Sequence, residues 1–463
     1  MEIPSRVLKA AGDPGGGKLV IVMGAGCSIE DPSGLPDSRS CSLAMWKRLR
    51  DDGVLENGDC VNPEDLSCLA DAVYAKCGSQ SELVNRLGTE FRFAAPNEGS
   101  MLAAALLREG VASNIVTLNF DLTMTHALTR LGADPKISVL RRPGDHENMG
   151  AHNLVYLHRN VEAEDPETLI LRTAALEEQW QSGWEEVIAQ IALATPVVIF
   201  AGLGTEVGVL VASATRLRSS LGDSVTLLQV DIGAREDSVY AAKLKIDEEH
   251  FISTGWSDFM RALGERVAQA QAGALEQAAQ RLVEDHSVGA EEVEPLLKRL
   301  AGAGLLYLGQ LRAKWALDPQ KPYCNAGEVN AENVGDLLLG IAMLERVTNC
   351  EARFVDDGLL ELVRDGSSVA LVAVGSGLGI AAWTTAEQRL RAAQGQHTAL
   401  ALHPTFGLLA HVKARPEAIA PPADIVAAKT PGSIVTGPGV FPIFELEQLR
   451  SEPSEALSLV RAA

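Results

Sequence analysis

Five short apolar segments, rich in β-branched residues and separated by stretches of helical periodicity, constrain the fold of this chain most strongly. They are residues 19–23, 113–117, 153–157, 196–201 and 225–230. Buried strands that alternate with helices predict a doubly wound α/β fold with a mostly parallel sheet. Ligands bind to such sheets beyond the carboxyl ends of the strands. We therefore expect the functional residues to follow the strands directly.

The length of the chain and a change in composition near residue 262 predict two domains. A chain of 463 residues is longer than one typical domain. We expect a flexible polar leader, a nucleotide-binding domain, connecting helices rich in Ala, Glu and Leu, and a second α/β or α+β domain. Their bounds are 1–18, 19–261, 262–302 and 303–463. In the last segment, apolar stretches on both sides of Asp365-Gly366 predict a β-hairpin.

Two glycine-containing sequences bear on nucleotide binding. Directly after the first apolar segment, Gly24 and Gly26 flank Ala25. Glycines at such a joint let the backbone approach a ligand closely, and the N–H groups of a following helix bind phosphate, so a dinucleotide is the natural ligand. Residues 12–18 match most of a P-loop, but Leu19 stands where a P-loop has Ser or Thr, and a strand follows instead of a helix. We interpret residues 12–18 as part of the leader.

Four further strands are followed by polar or glycine-rich motifs. In chain order these are 117–121 (Thr-Leu-Asn-Phe-Asp), 157–159 (Leu-His-Arg), 201–205 (Ala-Gly-Leu-Gly-Thr) and 230–231 (Val-Asp). Each has a structural alternative. Asn119 and Asp121 are of residue types that cap helices or form turns, and His158 alone is more often a hydrogen-bonded structural histidine than a catalyst. Asp231 alone is compatible with an ordinary loop residue.

The order of these motifs resembles that of the sirtuin family. The resemblance covers about residues 19–260 and includes Gly34-Leu35-Pro36-Asp37-x-Arg39 behind the glycine loop. It implies a sirtuin-like, Rossmann-type sheet and an NAD pocket in which Asn119 and His158 are catalytic. It also implies a set of NAD-binding residues: Gly24, Ala25, Gly26, Ser28, Asp37, Arg39, Asp121, Gly204, Thr205 and Asp231.

Cleavage of the nicotinamide–ribose bond of NAD fits the chemistry of these side chains. The ribose develops positive charge, so the protein has mainly to orient it, stabilise the charge and place a water. Asn119 can hold a water or a ribose hydroxyl, and His158, with an ordinary pKa of about 6.5, can accept a proton. The resemblance places Asp121 at the nicotinamide carboxamide and Asp231 at the adenosine, where an acidic group favours NAD over NADP.

Departures from the sirtuin pattern favour NAD cleavage over protein deacylation. Protein-deacylating sirtuins carry a four-cysteine zinc module after the catalytic histidine, whereas residues 159–200 contain no cysteine, so we expect no zinc site of that kind. Ser38 replaces an aromatic residue, Leu118 a glutamine and Arg159 a glycine. Such losses are typical of bacterial sirtuin-like NAD hydrolases of antiphage defence. The cation of Arg159, beside His158, is the change most able to obstruct the site.

The resemblance also implies how such a hydrolase would be controlled. We expect the C-terminal domain to sense a small-molecule or phage-derived trigger or to dock to a partner, in a homo-oligomer or a defence complex with a partner protein. Two other function classes stay open. One is a zinc-free sirtuin-type deacylase or ADP-ribosyl transferase, and the other is a non-catalytic module that binds NAD or ADP-ribose in a larger assembly.

Charge and cysteine usage restrict the compartment and the partners. The net charge of −21 opposes binding to nucleic acid and to anionic membranes. None of the seven cysteines forms a C-x-x-C pair, and the sequence shows neither a secretory signal nor an apolar run of roughly 18 residues that could span a membrane. We expect a cytoplasmic protein with reduced thiols, without direct membrane contact or nucleic-acid binding.

Overall fold

The computed structural model divides the chain into two compact units, Met1–Val267 and Ala268–Ala463. It describes residues 1–13, 16–131, 137–174, 183–204 and 207–286, together with 294, 304–306, 308, 341, 344–346, 348–355, 359–375, 405–407 and 443–444. Within this described part of the chain, no helix combines the length and the apolar character needed to cross a bilayer.

The first unit is built on a seven-stranded sheet in which every neighbouring pair is parallel. The strands are β1 (Leu19–Met23), β2 (Ala112–Thr117), β3 (Ile137–Leu140), β4 (His152–Tyr156), β5 (Val197–Ala201), β6 (Thr226–Asp231) and β7 (Phe251–Ser253). Their order is β3-β4-β2-β1-β5-β6-β7. The chain moves outward from β1 in one direction and then returns to β5 on its other side. The carboxyl end of β1 is therefore the topological switch point at which such sheets bind ligands.

Helices precede, separate and follow these strands, in agreement with the predicted doubly wound fold. They are α1 (Ser5–Ala11), α2 (Ser38–Asp51), α3 (Leu66–Cys77), α4 (Ser81–Val84), α5 (Glu90–Phe93), α6 (Glu98–Arg108), α7 (Thr123–Arg130), α8 (Trp184–Ala192), α9 (Gly208–Leu221), α10 (Val239–Lys243) and α11 (Trp256–His286). The five predicted strands match β1, β2, β4, β5 and β6 to within one residue at each end. The predicted fold class is confirmed.

Two hydrophobic clusters determine where a cleft can form. All five residues of β1 and of β5 are buried, which is typical of parallel strands covered by helices. One cluster packs Phe200 of β5 with Leu210 of α9. A separate cluster, which includes Met45 and Leu69, belongs mainly to the helical segment between β1 and β2. The cluster also includes Leu122 and Leu169 from beyond β2. The segment contributes Asp37 and Glu64 to the edge at which the strands end and so forms a wall there.

The expectation of a flexible leader is wrong for residues 5–11. These residues form α1, in which Val7, Ala10 and Ala11 are buried, and the Arg6 guanidinium donates to the backbone carbonyl of Asp223. Apolar residues at i, i+3 and i+4 make one helix face that packs on the domain. Lys18, the lysine of the P-loop-like sequence, lies in an ion pair with Asp13.

The second unit contains a five-stranded sheet in the order β12-β11-β10-β9-β8. Its strands are β8 (Glu351–Val355), β9 (Leu359–Arg364), β10 (Ser367–Gly375), β11 (Thr405–Gly407) and β12 (Ile443–Phe444). β9 and β10 form the predicted antiparallel hairpin, with Asp365 at φ 50 and Gly366 at φ 78. Two central turn residues with positive φ match the twist of the flanking strands. The role of this unit stays a prediction.

Candidate functional site

A cleft of about 1120 Å³ lies at the carboxyl ends of β1, β2, β5 and β6. Eleven of the twelve residues predicted to form the site line it: Gly24, Ala25, Gly26, Ser28, Asp37, Arg39, Asn119, Asp121, His158, Gly204 and Asp231. The twelfth, Thr205, lies outside the described residues. The fold thus brings together side chains that are as much as about 200 positions apart in the sequence, because the carboxyl ends of parallel strands share one edge.

The two glycine loops at the floor of the cleft require glycine because their backbones touch. A Cβ on Gly24 would lie 2.4 Å from the carbonyl oxygen of Gly202, and a Cβ on Gly26 would lie 2.7 Å from Gly202 Cα. Gly202 itself has a φ of +60, and a Cβ there would lie 2.6 Å from the Cys27 nitrogen. Each loop therefore excludes a side chain from the other.

The sequence predicts that N–H groups after the first strand bind phosphate, but three N–H groups of the first glycine loop donate to carbonyl groups of the protein instead. Gly24 N–H donates to the Ala201 carbonyl at 2.9 Å, Gly26 N–H to the Gly202 carbonyl at 3.0 Å, and Cys27 N–H to the Gly24 carbonyl at 3.0 Å. These three donors hold the loop in place and are not directed at a ligand. The loop contributes mainly shape: its glycines leave room for a ligand to approach the backbone.

Asn119 belongs to a chain of hydrogen bonds that begins at the glycine loop. Its amide nitrogen donates to the Gly24 carbonyl at 3.0 Å and to Ser28 Oγ at 3.1 Å. Ser28 Oγ in turn donates to Asp121 Oδ2 at 3.0 Å. Because the amide protons of Asn119 are directed into the protein, its amide oxygen is the atom able to accept from a water or a ribose hydroxyl.

Asp121 is buried at the end of this chain of hydrogen bonds. Burial raises the pKa of its carboxyl group, against the opposing effect of hydrogen bonds from Thr123 and Ser28. Thr123 donates to Asp121 through both its N–H group and its hydroxyl, so Asp121 also holds the start of α7. The helix-capping alternative therefore accounts for Oδ1, which accepts from Thr123, whereas Oδ2 accepts from Ser28.

His158 is half-buried and lines the cleft. The pKa of its imidazole falls from 6.5 to about 4, mainly because of burial; a hydrogen bond with the Leu118 backbone acts in the opposite direction, and the charge of Arg159 adds to the decrease. The ordinary value assumed from the sequence is therefore too high. At neutral pH the imidazole is uncharged and can accept a proton.

Arg159 does not obstruct the site. Its backbone adopts a φ of 71, and its Nη2 pairs with Glu185 Oε1 at 2.6 Å. The guanidinium lies over the Trp184 ring, 5.1 Å from the centroid, and Nη1 donates to the Leu157 carbonyl at 3.3 Å. Arg159 is absent from the described residues that line the cleft. The charge of the guanidinium still acts on His158 and lowers its pKa.

The opposite wall of the cleft combines the predicted Asp37 and Arg39 with Glu64 and Asp65, which sequence reasoning missed. Asp37 accepts from Ser40 N–H at 2.6 Å and caps α2, while Asp65 accepts from two N–H groups at the start of α3. Arg39 of α2 pairs with Glu64 at 2.5 Å, and both side chains are exposed at the cleft. Asp65 was detectable as an N-cap signal before a helical segment, but the pairing of Glu64 with Arg39 was not.

One group of side chains in the described part of the chain has spacing suited to a metal ion. Asp247, Glu249 and His250 place one ligand atom each within 4.8 Å of the others. They lie in the connection before β7 and do not line the cleft. His250 Nδ1 already bonds to Asp247, which caps the turn there, so this cluster has a structural explanation.

Comparison with known proteins yields structural neighbours only. No family model and no curated protein matches the chain. A Sir2 homologue in complex with NAD superposes with a TM-score of 0.37 at 15% identity, over 58% of this chain and 95% of that chain. A mutant Sir2 homologue in complex with ADP-ribose gives 0.35 at 17% identity, over 58% and 98%. A Sir2 complex with a p53 peptide and NAD+ gives 0.33 at 16%, over 57% and 98%. The fold is assigned from the strand order of the seven-stranded sheet.

Proposed function

We propose that this protein binds NAD in the cleft and hydrolyses its nicotinamide–ribose bond, which releases nicotinamide and ADP-ribose. The observation that carries the proposal is the pairing of an uncharged, half-buried imidazole with an oriented amide in one cleft. His158 has its pKa lowered to about 4, and the Asn119 amide is held by Gly24 and Ser28. A base and a water-holding group are what this hydrolysis needs from a protein.

In this proposal the dinucleotide lies along the strand ends. The adenosine lies at Gly204, Thr205 and Asp231, where the carboxylate accepts from ribose hydroxyls and selects against the 2′-phosphate of NADP. The pyrophosphate crosses the 24–28 loop, and the nicotinamide-side ribose lies near Arg39 and Asn119. The nicotinamide carboxamide meets Asp121. Among these groups Arg39 supplies a cation to a site in a protein of net charge −21.

The chemical step follows from these placements. The bond between ribose C1′ and the nicotinamide nitrogen breaks, nicotinamide leaves with the bonding electrons, and positive charge develops on the ribose. The Asn119 oxygen accepts a hydrogen bond from the attacking water, and His158 accepts a proton from a ribose hydroxyl or from that water. The water oxygen forms the new bond to C1′. The imidazole is uncharged above about pH 4, so it places no second positive charge beside the cationic ribose until it accepts that proton.

A direct assay separates hydrolysis from the alternatives. Purified protein is incubated with NAD, and nicotinamide and ADP-ribose are measured by chromatography. Release of both products without an acylated peptide is expected. Release only when an acylated peptide is added would indicate a deacylase or transferase, and binding without turnover would indicate a non-catalytic module.

Two variants test the assigned residues. Asn119→Ala and His158→Ala are each expected to lower turnover at least about 100-fold, the usual scale for a lost acid–base or positioning group. His250→Ala, a change at a half-buried histidine outside the cleft, is the matched control and should retain full activity. Full activity in either cleft variant contradicts the assignment.

We extend the proposal to a triggered effector of bacterial antiphage defence, on the sequence resemblance alone. An unregulated NADase would exhaust its host, so full activity is expected to need a trigger or a partner, above the basal rate that the purified protein shows. The test is cellular: NAD is measured during phage infection in cells that carry the protein or its His158→Ala variant. Loss of NAD with the wild type only is expected, and equal NAD in both strains contradicts the defence role.

A further inference from the structure

Two thiols lie next to each other at one wall of the cleft. Cys60 Sγ and Cys68 Sγ are 3.8 Å apart, and neither is in a disulfide. Cys60 is buried, whereas Cys68, in the first turn of α3, is half-buried. Residues 61–67, which we call the wall segment, join them and include five residues that line the cleft: Asn62, Glu64, Asp65, Leu66 and Ser67.

Neighbouring contacts keep the two thiols together. Lys76 of α3 reaches back to Asp59 at 3.2 Å and to Glu56 at 3.6 Å, so the chain before Cys60 is held against the helix that carries Cys68. A disulfide needs a sulfur–sulfur distance of about 2.0 Å. Starting from 3.8 Å, the sulfurs must approach by roughly 1.8 Å, which is on the scale of one side-chain rotation.

We propose that Cys60 and Cys68 form a redox modification site, at which hydrogen peroxide produces an intramolecular disulfide that fixes the wall segment. Cys68 reacts first because it is the more accessible thiol. Its sulfur attacks the peroxide, an S–O bond forms, the O–O bond breaks and hydroxide leaves. The Cys60 sulfur then attacks the sulfenic sulfur, so that the S–S bond forms as the S–O bond breaks and a second hydroxide leaves.

This sequence of steps balances. The two thiol protons neutralise the two hydroxides, the two thiols lose two electrons, and one peroxide is reduced to two waters. Burial and the adjacent Cys68 thiol raise the pKa of Cys60 to about 11, so Cys60 is a poor candidate for the first reaction with peroxide.

The disulfide has a consequence for the cleft, and this part rests on the proposed NAD site. The wall segment carries Glu64, whose ion pair with Arg39 spans from the segment to α2. When both ends of the segment are covalently joined, its outward displacement is restricted. Oxidation therefore slows both the opening of this wall and the entry of NAD.

Peptide mapping tests the modification independently of NAD. The Cys77→Ser variant, which lacks the exposed thiol at the end of α3, is treated with one equivalent of hydrogen peroxide. After alkylation, a protease that cuts behind Glu yields peptides 57–64 and 65–82. A linked pair about 2 Da lighter than the sum of the two thiol peptides, separated by reductant, is expected. Full alkylation of both cysteines, or sulfinic acid at Cys68 alone, overturns the proposal.

Two rates test whether the disulfide fixes the wall segment. Cleavage of the native protein behind exposed Glu64 is expected to be at least fivefold slower after oxidation, and NAD association at least threefold slower. Cys60→Ser/Cys77→Ser is the matched control, in which peroxide should change neither rate. Equal cleavage rates in the oxidised and reduced forms overturn the fixing of the segment. If the reduced protein binds no NAD, the proposed function fails while the peptide map still decides the modification site.

Discussion

The Arg159–Glu185 pair offers the sharpest test of how the structure holds the Arg159 cation outside the cleft. The exposed fractions of the two side chains are 10% and 3%, so the charges are almost fully removed from water. Glu185→Gln keeps the shape of the side chain but leaves the guanidinium without a negative partner. Removing one partner of a buried pair typically costs about 3–5 kcal/mol.

For Glu185→Gln, the expected decrease in the free energy of unfolding lies at the lower end of that range or below it. Arg159 keeps its hydrogen bond to the Leu157 carbonyl and its contact with the Trp184 ring, and the amide oxygen of the substituted side chain still accepts a hydrogen bond. We therefore expect Glu185→Gln to lower the free energy of unfolding by about 2–3 kcal/mol. For a unit of 267 residues, this corresponds to a decrease in Tm of about 4–6 °C.

Calorimetry of the full chain measures this loss as a shift of the transition assigned to the first unit. Glu98→Gln is the matched control, because it breaks an exposed pair with Arg261 and should cost less than about 1 kcal/mol. Arg159→Met combined with Glu185→Leu removes both charges and should recover at least half of the lost stability. A loss below about 0.5 kcal/mol in Glu185→Gln, or a double variant less stable than the single one, would refute the reasoning.

Three further predictions concern the cleft. The pKa of His158 falls from 6.5 to about 4 on folding. Its ionisation therefore leaves the free energy of unfolding unchanged above pH 6.5 and lowers it by up to about 1.4 kcal/mol per pH unit as the pH falls from 6.5 to 4. Urea titrations at several pH values, with His158→Gln as the control, measure this; the same pH dependence in both proteins contradicts it. Gly26→Ala should cost about 1–3 kcal/mol through overpacking against Gly202, whereas Gly58→Ala, in open space, should be neutral in the same titration. Asp37→Ala should cost about 1 kcal/mol as a lost helix cap and Asp37→Asn much less; equal losses would exclude capping.

Strand prediction succeeded where local pattern and tertiary burial agree. β1 and β5 are buried along their full lengths, and strands covered on both faces appear in a sequence as continuous apolar runs. β3 was missed because three of its four residues are only half-buried. β7 was missed because a strand of three residues is too short to show a period.

The placement of the candidate site was also largely predictable. Asn119, His158 and Asp231 were chosen because each follows a strand, and parallel strands end at a common edge. The opposite wall was not predictable in this way. Glu64 and Cys60 belong to the helical segment between β1 and β2, which packs in a separate hydrophobic cluster, and no periodic signal shows which part of it approaches α2.

The sequence by itself determined the sheet, the positions of the strand-end motifs and the glycine spacing, because these depend on neighbours within a few residues. Only the tertiary structure decided what the side chains do there. Arg159 leaves the cleft because Glu185, 26 positions away, pairs with it, and Gly26 requires glycine because the backbone of Gly202 touches it. The pKa of His158 depends on burial among groups distant in the chain. Hydrogen bonding, contact and desolvation act through space, so a linear pattern cannot specify them.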